Sequence, residues 1–205
     1  MNRFILLQVA TCAAMACGSR PEAPNGSTWT RALIDSVMRL GREDQDGRNA
    51  LSQAVATGDT ATLLRFMRAD SARSRWLRDA VKERGWPARS IVGDSAALSA
   101  WLILQHTPFH DWQENMLPTL EQLADRGDVR KADLAVFTDR VLVHRGQPQR
   151  YGSQFGTVDG RLVPEPIDDV AQLDARRAGV GLPPMAEYVR MLGEMSKLPM
   201  VWPPG

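Results

Sequence analysis

The chain has 205 residues, 43% hydrophobic and 24% charged, with 25 Lys+Arg against 24 Asp+Glu and two cysteines. That length is enough for one domain with a sizeable core. The charges nearly cancel, so no basic excess exists to track a phosphate backbone, and no nucleic-acid partner is expected.

Residues 1–16 read as a processing signal. Arg3 gives a short basic start, and the uncharged run from Phe4 to Ala16 is too short to span a bilayer, which takes about 20 residues. Small residues then lead into Cys17, and Ala13-Ala14-Met15-Ala16-Cys17 resembles a bacterial lipobox. That resemblance implies cleavage before Cys17 and acylation of Cys17, which would hold the protein to a lipid bilayer. Gly18, rather than an acid, follows Cys17, which favours the outer membrane in a host with two membranes. The expected localisation is therefore the cell envelope, lipid-anchored and extracytoplasmic. Residues 17–27, rich in Pro, Gly and Ser, form a flexible tether. With Cys12 removed and Cys17 lipidated, the mature chain has no thiol for a disulfide, a nucleophile or a zinc site.

Residues 28–195 predict a single mainly α domain of about six or seven helices with one short β-hairpin, followed by a Pro-rich tail, 196–205. Ser27 or Thr28 caps a first helix to about Val55, with Trp29, Leu33, Val37, Leu40, Leu51 and Val55 on one stripe. Asp44 and Arg48 fall inside that apolar stripe, acid first and four residues apart, as an ion pair requires. They read either as a partly buried salt bridge beside Gly41 and Gly47 or as part of a pocket. Asp59 and Asp70 are expected to cap two further segments whose inward residues are Leu63, Leu64, Met67, Trp76, Leu77 and Val81. Gly85 ends this run, and Trp86-Pro87 redirects the chain.

Asp94 or Ser95 caps the next helix, Ala96–Gln105, which is apolar nearly all round and belongs at the centre of the fold. Pro108 stops it, so Gln105 and His106 emerge near the interior. A helix from Asp111 to Arg126 is expected to bend near Pro118. Asp128 is expected to cap the following helix, which ends at Gly146. The pattern then changes to a hairpin, Gln154–Val158 and Arg161–Val163, turned by Asp159-Gly160. Asp168 or Asp169 caps a short helix carrying Arg176-Arg177, and Pro183-Pro184 opens the last one. Trp202 is the residue through which the tail would pack.

The polar residues of this chain match a recognisable set. Asp44-Gln45 with Arg48, Gly85-Trp86-Pro87, Val92-Gly93, Ala100-Trp101, Gln105-His106, Gln113, Asp139-Arg140-Val141, Gly146 with Gln149, Tyr151-Gly152 and Gln154 resemble an uncharacterised bacterial domain-of-unknown-function family, number 6624. The similarity runs roughly from Leu33 to Tyr188, and Ser153 stands where the family usually has Thr. The resemblance implies one domain and a common site. It implies no reaction.

His106 is the natural acid–base candidate, and Asp139 is the acid expected to orient it. Arg140 can hold a carboxylate or phosphate. Asp44, Gln45, Arg48, Trp101, Gln105, Gln149, Tyr151 and Gln154 complete the candidate ligand-binding set. The glutamine-rich loop 147–154 suits a peptide, sugar or other amide-rich ligand. Against this stands a plainer reading, in which the same amides stitch the loop to its own backbone and His106 caps carbonyls. No metal is expected, because Pro108 breaks the His106–His110 spacing and no His-Glu-x-x-His occurs. No cofactor fingerprint, phosphate loop or nucleophile elbow appears. The leading expectation is an envelope lipoprotein that binds a small molecule or a peptide or cell-wall fragment. A hydrolase or transferase using His106 with Asp139, and a structural module, are the alternatives.

Overall fold

A computed structural model of the chain describes residues 28–196 and 198–202. The signal, Cys17 and the tether lie outside the described residues. About 69% of the described residues are helical, in eight α-helices with one two-stranded hairpin, so the class is mainly α as expected. Two compact units divide the fold at Val129 and Arg130.

The first unit holds α1 (Arg31–Thr57), α2 (Thr60–Arg84), α3 (Arg89–Val92), α4 (Asp94–His106) and α5 (His110–Asp125). Helix α4 packs against α1, α2 and α3 and buries Ala96, Ala100, Ile103 and Leu104, as its all-round apolarity predicts. Close approach of α1 and α4 depends on Gly41. A Cβ there would lie 2.5 Å from the Ser99 Cβ, far inside van der Waals contact. One turn beyond Gly41 on α1 sits Asp44, fully buried. Pro118 lies within α5, which continues through it.

Several expectations need correction here. Helix α2 is continuous through Asp70, because that side chain pairs with arginines instead of capping a backbone N–H. Val55 near the end of α1 is 45% exposed, and on α2 Leu64 and Met67 are exposed at 53% and 56%, so the inward face of α2 runs instead through Arg73, Ser74, Leu77 and Ala80. Thr28 does not cap α1; its hydroxyl donates to the Arg84 carbonyl, and the cap position is Thr30. Asp128 does not cap the helix that follows it. Its carboxylate accepts from the Ser90 N–H at 3.0 Å and so holds the first turn of α3. The cap at Asp59 is as expected, accepting from the Thr62 N–H at 3.0 Å.

The second unit holds α6 (Lys131–His144), β1 (Phe155–Val158), β2 (Arg161–Pro164), a 3-10 turn (Val170–Gln172), α7 (Leu173–Gly179) and α8 (Met185–Ser196). The antiparallel register pairs Phe155 with Pro164 and Val158 with Arg161. Asp159 and Gly160 turn the hairpin with φ of 48° and 74°, the left-handed pair that a two-residue turn of this kind demands. Phe155, Leu162, Leu173, Met185 and Leu192 form its core, with Tyr188, Met200 and Trp202 packed against it. The tail is drawn in by two backbone bonds, Leu162 N–H to the Pro199 carbonyl and Val201 N–H to the Leu162 carbonyl.

Candidate functional site

Asp44 organises a charged cluster inside the first unit. One carboxylate oxygen, Oδ2, lies 2.5 Å from His106 Nδ1 and 2.8 Å from the Gln45 amide nitrogen. The other, Oδ1, accepts from Arg48 Nη2 at 3.1 Å and faces Arg73 Nη2 at 3.8 Å. Helix α2 adds Asp70, whose Oδ1 lies 3.3 Å from Arg73 Nη2 and 3.6 Å from Arg48 Nη2. Both guanidiniums stack on Phe66, at 5.3 Å for Arg48 and 5.9 Å for Arg73. Three helices thus bring two acids, two arginines and one imidazole together, with the Asp44 side chain 1% and the His106 side chain 4% exposed.

Burial by itself would raise the Asp44 carboxyl. The His106 hydrogen bond and charge, followed by Arg48, outweigh it and hold the group at about 2. Asp70 goes the other way: burial pushes its carboxyl up, Asp44 adds repulsion, and Arg48 and Arg73 only partly offset them.

The proton between Asp44 and His106 can be placed. His106 Nδ1 also lies 2.7 Å from Arg48 Nε, and one ring nitrogen cannot both donate to the acid and accept from the guanidinium. With Asp44 held ionised, the 2.5 Å contact between Oδ2 and Nδ1 needs a proton on the ring nitrogen, so Nδ1–H is the donor to Asp44. Arg48 Nε–H is then directed to Asp44 Oδ2 at 3.3 Å. When the ring is neutral, this arrangement puts the basic lone pair on Nε2, which is how a carboxylate prepares an imidazole to take a proton.

Gln113 fixes the end of α4 on which His106 sits. Its amide nitrogen donates to the carbonyls of Leu104 and Gln105 at 3.0 and 3.1 Å, two acceptors that a helix end leaves unsatisfied. Gln105 is buried beside His106, and Trp101 lies one turn earlier with its indole nitrogen buried. Asp44, Gln45, Arg48 and His106 are therefore brought together as touching groups, with Trp101 and Gln105 on the same helix as the imidazole.

The remaining candidates belong to the second unit. Asp139 is a loop clamp: its oxygens accept from the N–H groups of Arg150 at 2.7 Å, Tyr151 at 3.0 Å and Ser153 at 3.0 Å, and from the Ser153 hydroxyl at 2.9 Å. Burial pushes its carboxyl up, and these donors oppose the rise. Where Asp139 was expected to orient His106, the carboxylate on His106 Nδ1 is Asp44. Gln149 is spent on backbone, donating to the Gln154 and Glu165 carbonyls and accepting from the Gln154 N–H. The Gln154 amide donates to the Ser153 hydroxyl and the Val136 carbonyl. Arg177 donates to the Tyr151 and Pro183 carbonyls and stacks on Tyr188, whose phenol burial raises to about 12. The plainer reading of this loop, amides stitched to their own backbone, describes these bonds. Arg140 is buried on α6.

Three members of the cluster escaped the sequence reading: Phe66, Asp70 and Arg73. Their spacing of four and three residues continues to the buried Leu77, which is one face of an uninterrupted helix. A cap at Asp70 would interrupt that face, whereas the continuous helix puts all three on it. Among the described residues no group of three His, Cys, Asp or Glu side chains is placed to hold a metal.

The family model described as a family of unknown function, DUF6624, matches residues 32–200. The chain belongs to that family. No curated protein and no solved structure matches it.

Proposed function

We propose that this DUF6624 domain is an acid–base enzyme, a hydrolase or transferase, in which His106 is the general base and Asp44 orients it. The observation that carries the reading is the buried 2.5 Å contact between Asp44 Oδ2 and His106 Nδ1, with the carboxyl held at about 2. The acid fixes the ring and its tautomer, and it stabilises the imidazolium that forms when Nε2 accepts a proton. Exclusion of bulk water from both side chains strengthens that pairing. Ligand binding through the 147–154 loop has less support, because Gln149 and Gln154 already use their amides on backbone and on Ser153. The same proposal places the enzyme in the cell envelope on a lipidated Cys17, at the outer membrane of a two-membrane host.

The test compares wild type with His106→Gln on a panel of carboxylic esters, phosphoesters and peptide amides. Turnover lost by a factor of about 10² or more in the variant, with the fold intact by circular dichroism, is the expected result. Diethyl pyrocarbonate supplies a readout that needs no substrate, since it modifies a basic ring nitrogen. Failure of His106 to react while the exposed His110 does, or equal turnover in the variant, would overturn the proposal.

A further inference from the structure

We propose that the Arg48–Phe66–Arg73 edge of this cluster is a subsite for an oxyanion, a phosphate-like or carboxylate group, carried by the molecule on which His106 acts. The inference deepens the acid–base reading by naming the substrate class, and it rests on that reading only for the word substrate.

Arg73 is 94% buried, yet its two acidic neighbours both approach a single nitrogen, Nη2. Its Nε is buried and has no hydrogen-bond partner among the described residues. A guanidinium offers five N–H donors in a planar fork, and a buried donor left without an acceptor is costly enough to need an explanation. Nε and Nη2 form one edge of that fork, the edge on which arginine takes a planar or tetrahedral oxyanion. The Phe66 ring lies against both guanidiniums, at 5.3 Å from Arg48 and 5.9 Å from Arg73, and so favours their cationic form at this edge. The Arg48 side chain, 21% exposed, and that of Asp70, 13% exposed, form its more open side.

The charge balance also favours an anion. Asp44 and Asp70 from α1 and α2 face Arg48 and Arg73 from the same two helices, with His106 of α4 against both Asp44 and Arg48. Asp44 is held firmly ionised, whereas burial makes Asp70 the acid that gives up its charge first. Once Asp70 is protonated, the four groups carry one net positive charge where water is largely excluded. An arriving oxyanion would favour that state, so binding should draw a proton onto Asp70.

Calorimetric titration with sulfate, whose charge is constant from mildly acidic to neutral pH, and with acetate tests the subsite on the folded protein. Expected are binding of at least one anion, tighter sulfate binding at the acidic end, and proton uptake. Asp70→Asn should bind sulfate more tightly and lose the pH dependence. Arg73→Lys, which keeps the charge but loses the fork, should weaken binding about tenfold. Arg48→Lys serves as a second variant should Arg73→Lys melt early. Sulfate binding would assign phosphate-like groups, and acetate alone would assign carboxylates. No binding of either anion to wild type or Asp70→Asn, or binding indifferent to both arginine variants, would overturn the proposal. His106→Gln should still bind the anion, which separates this result from the fate of the acid–base reading.

Discussion

Asp44 is where stability and chemistry meet. A carboxyl at about 2 in the folded state, against its ordinary 3.8, binds its proton less readily folded than unfolded. Its contribution is therefore fully present above about pH 4 and is lost as pH falls through 2. The difference amounts to about 2 kcal/mol. Acid unfolding followed by circular dichroism should show this loss in wild type and not in Asp44→Asn. A variant with the same acid sensitivity as wild type would mean that other carboxylates carry the transition. Asp44 and Arg48 were legible in sequence because two charges interrupted an apolar stripe. The partnership with His106 was not, since residues 62 apart in the chain meet only through packing.

At the level of elements, the site depends on how closely α1 and α4 cross. Gly41 allows that approach, and Asp44 follows it by one turn as His106 follows Ser99 by two. Gly41→Ala should push the helices apart at Ser99 and cost about 1–3 kcal/mol despite the higher helix propensity of alanine. Denaturant melts would give the size of the loss, and a stabilised variant would contradict the crossing. The helices and the Asp159-Gly160 turn were readable because periodicity and turn chemistry are local. Caps were read less well. Asp70 and Asp128 have the residue type of a cap, but the groups they meet, arginines in one case and the Ser90 N–H in the other, come from tertiary packing. The 147–154 loop is a third case, its glutamines equally suited to a ligand and to backbone until the carbonyls of Gln154 and Glu165 are placed.

For the whole molecule, the proposed setting is a catalytic domain held at a membrane by a short tether. Among the described residues no helix is long and apolar enough to cross a bilayer, and the proposed anchor is Cys17. Cys17→Ala should abolish incorporation of labelled fatty acid and move the protein from the membrane to the soluble fraction. A variant that stays acylated and membrane-bound would refute the anchor. The position of one proton decides whether His106 can act as a base, and nitrogen-15 NMR of its ring reads that position directly. In wild type at neutral pH, Nδ1 should carry the proton and Nε2 the lone pair, and Asp44→Asn should abolish that preference. An Nδ1 found unprotonated at neutral pH, accepting from Arg48, would contradict the account, because an imidazole so held has no lone pair left on Nε2 to act as a base.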